Sequence, residues 1–136
     1  MSKGNTFEND VLNYTFQKTA FGWAANTNFY LSLHTGDPGE AGDQTTSEAT
    51  YTSYARVAVL RTSAGWTVSG AVASNAALVQ FPQCTGGTNV ITHVTIGTII
   101  SGAGQIVYSG ALNASLSVSN LIQPQFAIGA LTVTED

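Results

Sequence analysis

The residues best able to catalyse a reaction are two histidines, His34 and His93, in a chain rich in serine and threonine. A histidine beside an acid and a hydroxyl can complete a hydrolase triad. Hydroxyls are so common here that such a combination carries little weight, and the chain has no Gly-x-Ser-x-Gly elbow. Both histidines fall in segments with the alternating pattern of strands. We therefore expect each to be hydrogen-bonded to a neighbour, and we predict no catalytic residue.

Acidic residues are concentrated in one segment, from Thr35 to Thr50, which holds half of the eight acids. Carboxylate oxygens suit Ca²⁺, but the spacing does not match an EF-hand, so we predict no metal site while calcium stays open as an alternative. The segment can also be interpreted as a solvated turn or as a loop that reaches a neighbouring subunit. Two further acids end the chain, an arrangement that does not favour the paired carboxylates of a glycan hydrolase. The four acids of the segment are Asp37, Glu40, Asp43 and Glu48.

The glycines and the single cysteine indicate structural roles rather than cofactor binding. The pairs Gly86-Gly87 and Gly102-Ala103-Gly104 indicate hairpin turns, because neither belongs to a P-loop or a full dinucleotide fingerprint. One cysteine, Cys84, excludes an internal disulfide and a cysteine-cluster zinc site. We predict no cofactor, and we expect Cys84 to serve in packing.

The segment from Thr6 to Ala20 is the one predicted helix. Thr6 is suited to cap its start, acids in the first turn favour the helix dipole, and Lys18 lies near its end. A lone amphipathic helix beside many strands usually covers a sheet edge or an open end of a sandwich. Its apolar stripe consists of Phe7, Val11, Leu12 and Phe16.

Residues from about 27 to 134 alternate with the period of two that is typical of strands. Short strands separated by Gly, Ser and Asn turns indicate an antiparallel β-sandwich or jelly roll. The fold class is therefore all-β with one N-terminal helix, in a single domain over residues 1–136. The apolar sets are Phe29, Leu31 and Leu33; Ala55, Val57 and Val59; Ala77, Val79 and Phe81; Val90, Thr92, Val94 and Ile96; Ile106, Tyr108 and Leu112; Leu116 and Val118; Phe126 and Ile128, then Leu131 and Val133 beyond a predicted bulge at Gly129. The turn signals are Ser63-Ala64-Gly65, Ser74-Asn75, Thr85-Gly86-Gly87, Ser101 to Gly104 and Ser119-Asn120.

The composition combines 43% hydrophobic residues with only 9% charged residues, against about 25% charged in a typical protein. A surface of uncharged polar residues loses water at little cost, which favours extensive burial by partners. A neutral, Thr-rich β protein without a special partner is the alternative. The four basic residues are scattered, so we predict no nucleic-acid binding. No apolar run approaches the roughly 20 residues of a membrane span, and the start lacks a secretory signal, so we expect synthesis in the cytoplasm.

Several stretches together resemble a family of small virion proteins of tailed bacteriophages, whose members are labelled tail fibre or structural proteins. The similarity extends over nearly the whole chain and implies a virion component without carrying any catalytic residue across. The stretches are Phe29 to Pro38, Ser47-Glu48, Tyr54 to Val59, Ser74 to Ala77, Phe81-Pro82, Val90 to Ile96, Tyr108 to Leu112 and Phe126 to Thr134.

Size and chemistry favour a capsid decoration (cement) protein that forms dimers or trimers with itself and binds the major capsid protein. The alternative is a tail or fibre-associated protein that contacts other tail proteins or the host surface. Both hypotheses describe a non-enzymatic virion protein without nucleic-acid or membrane partners. The helix and the acidic loop are not required by a sandwich, so we predict partner contacts at Phe7, Val11, Asp37, Pro38, Glu40, Asp43, Tyr51 and Tyr54.

Overall fold

The computed structural model describes all residues, 1–136, as one helix and ten strands. The helix α1 spans Asn5–Gln17 and follows the short strand β1, Ser2–Lys3. The other strands are β2 Asn28–His34, β3 Val57–Leu60, β4 Trp66–Ser69, β5 Val72–Asn75, β6 Val79–Gln80, β7 Asn89–Gly97, β8 Ile106–Val118, β9 Gln125–Phe126 and β10 Thr132–Thr134. No helix is both long and apolar enough to span a bilayer.

The strands form three sheets in which all neighbours are antiparallel. A five-stranded sheet has the order β1-β8-β7-β2-β3, a three-stranded sheet the order β10-β5-β4, and β6 pairs with β9. The all-β class with one N-terminal helix is confirmed. The jelly roll is not, because sheets of five, three and two strands replace the eight strands in two Greek keys that define it.

The core lies between the five-stranded sheet and the two smaller ones. Leu31, Val94 and Ile96 of the large sheet belong to one buried cluster with Val79 of β6 and Val133 of β10. The predicted alternation of β2 is confirmed, since Leu31 and Leu33 enter this core. Toward the end of β2 the opposite face does not contact solvent either, because its polar side chains there are buried as well.

Strands β7 and β8 lose register, which the sequence did not predict. Ile91 pairs with Leu116 but His93 pairs with Ala111, so four residues of β8 lie opposite one residue of β7. Such a bulge bends the strand and breaks the alternation of its side chains. The predicted face through Val90 is therefore wrong at its start: Val90 is exposed, whereas Ile91 is buried.

Helix α1 begins and ends earlier than predicted. Gly4 is its N-cap without any side-chain cap bond, so Thr6 lies inside the helix rather than at its cap. Gly4 is fixed by a bond from its N–H to the Val107 carbonyl, and a Cβ there would collide with the Ile106 carbonyl. The helix ends when Lys18 adopts a left-handed conformation at φ 57° and its N–H donates to the carbonyl of Asn13.

Two predicted turn features near the end of the small sheets are wrong. Ser74 and Asn75 close strand β5 instead of forming a turn. The chain reverses at Gly70, whose φ is 60°, between β4 and β5. The predicted bulge at Gly129 is a turn between β9 and β10, with the Ala130 N–H donating to the Ala127 carbonyl.

We predict that Asn75→Ala destabilises the fold, because the fully buried Asn75 amide joins three segments. Its Nδ2 donates to the carbonyls of Ala77 at 2.8 Å and Ala127 at 2.9 Å, and its Oδ1 accepts from the Leu131 N–H at 2.9 Å. The expected loss is roughly 1–3 kcal/mol in the free energy of unfolding, measured in urea. The exposed control Asn9→Ala should change it by only a few tenths, and equal stabilities of the two variants would contradict the prediction.

Candidate partner-binding surfaces

Three of the eight predicted contact residues are buried in the chain itself. Phe7 is 8% exposed and Tyr51 is 3% exposed. The Phe7 ring packs against Trp23, and the Tyr51 hydroxyl donates to the Pro82 carbonyl at 2.8 Å. Pro38 is buried too. These three side chains pack within the protein's own interior, and whether they also touch a partner stays a prediction.

The other predicted contact residues retain some surface. Asp37 and Glu40 are exposed, whereas Val11, Asp43 and Tyr54 are partly buried. The Tyr54 hydroxyl is already engaged, since it accepts from the Leu33 N–H and donates to Glu48. Whether any of these five residues touches a partner stays a prediction.

The segment from Thr35 to Thr50, here called the strap, lies across the polar face of β2. Gln44 is its anchor: this side chain is fully buried, and its Oε1 accepts from the N–H groups of Thr98 and Ile99 at 3.0 and 3.1 Å. Its Nε2 donates to the Ser32 hydroxyl at 3.3 Å. A Cβ at Gly97 would collide with the Gln44 side chain, so glycine there makes room for the anchor.

His34 forms the second anchor under the strap. Its Nδ1 lies 2.8 Å from the Thr46 carbonyl and its Nε2 lies 2.9 Å from the Thr95 hydroxyl. A carbonyl only accepts, so Nδ1 carries the hydrogen and Nε2 accepts from Thr95 in the neutral ring. Burial lowers the pKa of His34, which favours this neutral form. The expectation of a hydrogen-bonded histidine is confirmed, also for His93, whose Nδ1 is 2.8 Å from the Thr92 hydroxyl.

A nearly buried ion pair fixes the end of the strap. The Arg56 guanidinium donates to both carboxylate oxygens of Glu48, from Nε at 2.7 Å and from Nη2 at 2.9 Å. The same guanidinium donates to the carbonyls of Ile99 and Gly102 at 3.0 and 2.8 Å. The strap and the loop before β8 are thereby joined through one side chain.

The strap acids are each engaged separately. Asp37 accepts from the Gly39 N–H, and Glu40 accepts from the Ser2 hydroxyl. Asp43 accepts from the hydroxyl and the N–H of Thr45, and these bonds lower the pKa of its carboxyl group. No group of three or more His, Cys, Asp or Glu side chains comes together anywhere in the chain.

The predicted apolar stripe of α1 divides into a buried and an exposed half. Leu12 and Phe16 are turned about 140° and 180° away from Phe7 on a helix. Phe7 therefore enters a small cluster with Trp23 and Val107, while Leu12 is 56% exposed and Phe16 is 79% exposed. We call Leu12, Phe16 and the following Lys18 the helix tip.

A groove of about 830 Å³ lies where β8 bulges away from β7. Its apolar lining includes the half-buried Leu112, Leu116 and Phe126, and its polar lining includes the exposed acids Asp37 and Glu40. We call it the bulge groove. The sequence does not predict this groove, because a change of register between two strands leaves no local signal, although the two acids beside it were predicted contact residues.

The family model described as Podophage GP4 fiber I protein gp80 matches residues 2–134. The chain therefore belongs to this family of bacteriophage fibre and structural proteins, and the resemblance to virion proteins of tailed phages is confirmed. No curated protein matches the sequence.

We predict that the Glu48–Arg56 pair stabilises the chain far more than the surface pair between Lys3 and Glu135. Arg56→Met should cost roughly 3–5 kcal/mol in the free energy of unfolding, because it leaves a largely buried carboxylate unpaired. Lys3→Met, the matched control, should cost at most about 1 kcal/mol. The double variant Glu48→Gln/Arg56→Met should recover part of the loss, and a purely additive result would refute the coupling.

We also predict that the chain loses stability between pH 7.5 and pH 5.5 through His34. Because its folded pKa is lowered, the unfolded chain takes up a proton near pH 6.5 that the folded chain does not bind. The free energy of unfolding should thus fall as the pH drops through this window, above the range in which carboxyl groups titrate. Urea unfolding of His34→Gln should show a smaller slope against pH, even though this variant is less stable throughout; an unchanged slope would exclude His34 as the cause.

Proposed function

We propose that this protein is a non-enzymatic structural subunit of a phage tail fibre, incorporated into the virion through contacts with copies of itself and with other virion proteins. The observation that carries the proposal is the family match over residues 2–134, whose description names a fibre protein. Composition and surface chemistry support it independently of the family description.

Three of the four basic side chains are engaged within the chain. Lys3 pairs with Glu135, Arg56 pairs with Glu48, and Arg61 donates to the carbonyls of Trp23, Ala24 and Asn26. Charged residues are depleted at the centres of protein interfaces, because each charge must be stripped of water. The exposed large apolar residues are Leu12, Tyr14, Phe16, Leu60, Val68, Val72, Leu78, Val90, Ile99, Ile100, Leu121, Ile122 and Ile128. A surface of this kind suits a subunit that is buried by neighbours.

The anchored strap also suits an assembly subunit. Its buried Gln44 and the neighbouring His34 hold it to the sheet, so the segment needs no ordering when a partner binds. Association costs less free energy when the binding surface is already in place. We assign no catalysis, since His34 is buried with both ring nitrogens engaged.

Capsid decoration is the second candidate. A decoration protein binds many equivalent sites on the assembled shell, and each bound copy stabilises that shell by mass action. Small size and 9% charged residues favour this role, but they suit a fibre subunit equally well. The fibre description of the family is the reason for preferring the fibre role.

The copy number and position of the chain in purified virions test the proposal. Quantitative mass spectrometry against the major capsid protein should give a handful to a few tens of copies, and an antibody against the chain should label the tail in electron micrographs. Hundreds of copies over the shell, together with a lower rupture temperature of particles lacking the protein, would favour decoration instead. Absence from purified virions would refute both roles.

A further inference from the structure

One of the four basic side chains has no partner within the chain. Lys18 follows the last residue of α1, and neither an ion pair nor a side-chain hydrogen bond engages its ammonium group. Two residues earlier stands Phe16, the most exposed large apolar side chain of the protein at 79%. The helix tip thus combines an unpaired cation with an apolar surface.

The bulge groove has the opposite character. Its apolar lining of Leu112, Leu116 and Phe126 is joined by two exposed carboxylates, Asp37 and Glu40, that no cation of the chain neutralises. Half of its lining residues are hydrophobic. A segment that presents an apolar side chain beside a cation is therefore complementary to this groove.

The helix tip and the bulge groove lie toward opposite ends of α1. Met1 and Ser2, which directly precede the helix, line the groove, and Asn5 at the helix start donates its N–H to the Glu40 carbonyl. The 13 residues of α1 extend for about 20 Å at 1.5 Å per residue. A chain cannot insert its own helix tip into its own groove across this length, but a second copy can supply one.

We infer that copies of this chain associate head to tail, with the helix tip of one copy in the bulge groove of the next. Leu12 and Phe16 pack against the apolar lining, and Lys18 pairs with Asp37 or Glu40. The inference deepens the proposed function, on which it rests, by identifying how the subunits join. A contact between two different surfaces produces a ring if the rotation closes and an open filament if it does not.

Charge favours this arrangement over pairing of like surfaces. A two-fold contact centred on the helix tip would bring two Lys18 side chains together, and one centred on the groove would bring the Asp37 and Glu40 carboxylates together. Like charges in a contact oppose association, whereas tip against groove joins opposite charges.

Two variants of the full chain block one surface each. Phe16→Asp places a charge on the tip, and Ala114→Trp fills the groove from an exposed alanine that lines it. Matched controls make the same changes at exposed positions outside both surfaces: Val68→Asp, at a side chain that is 72% exposed, and Ala103→Trp. Circular dichroism and urea unfolding check that all four variants fold.

Sedimentation velocity should show that each blocking variant associates at least tenfold more weakly than the wild type, while the controls associate normally. An equimolar mixture of the two blocking variants should form a dimer and nothing larger, because one variant still offers a groove and the other a tip. Lys18→Glu should also weaken association. Mixing this variant, which keeps Asp37 and Glu40, with a second variant that carries Asp37→Lys/Glu40→Lys should restore association, because each tip then meets a groove of opposite charge.

The inference is overturned if the wild type stays monomeric at its highest soluble concentration, if both blocking variants associate normally, or if their mixture remains monomeric. In each of these cases the proposed function still holds where the chain is found in virions. Conversely, absence from virions refutes the proposed function whatever the purified chain does in solution.

Discussion

Burial of polar groups on the second face of β2 is the constraint on which the rest of the structure depends. Ser32 and His34 lie in a strand whose other face fills the core, so covering them requires a partner for every donor and acceptor. Gln44 and the Thr46 carbonyl supply partners from the strap, and the Thr95 hydroxyl of β7 supplies the partner of His34 Nε2. A long loop that would otherwise be mobile becomes a fixed layer of the molecule, and Asp37 and Glu40 are held at defined positions on its surface.

The change of register between β7 and β8 has the second largest consequence. It turns Ile91 into the core and leaves a stretch of β8 from Leu112 to Ser115 without partners on β7. On its outer side β8 is paired with β1 only at Tyr108 and Ser109, so the bulged stretch beyond them has no strand on that side. A bulge at such an uncovered edge opposes unspecific pairing with other strands. The same distortion opens the bulge groove, so the device that limits edge pairing provides a more specific surface.

The sequence alone was sufficient to predict elements with strong local patterns. It was insufficient where contacts with residues distant in sequence determine the structure. Alternation predicted β2, and a candidate capping residue with acids at the start and Lys18 at the end predicted the existence of a helix, because both signals are local in the sequence. The sequence could not predict the start of α1, which depends on Gly4 fitting against the Ile106 carbonyl. The prediction of one apolar stripe through Phe7 and Phe16 was wrong, because nine residues of helix turn the two side chains about 180° apart, and Phe7 is buried whereas Phe16 is exposed. The acids of the strap were found from sequence, but the groove beside them was not.

A low number of charges has opposite effects on a subunit alone and in an assembly. Alone, the chain exposes apolar side chains such as Phe16, and only a net charge of −4 opposes the association of copies. In an assembly, the same surface is buried at little desolvation cost. The few free charges then matter more for selectivity than for affinity, since an unpaired lysine on one surface and two carboxylates on another favour one mode of contact over the alternatives. Scarce charges at defined positions can thus determine which neighbours a nearly uncharged β protein accepts.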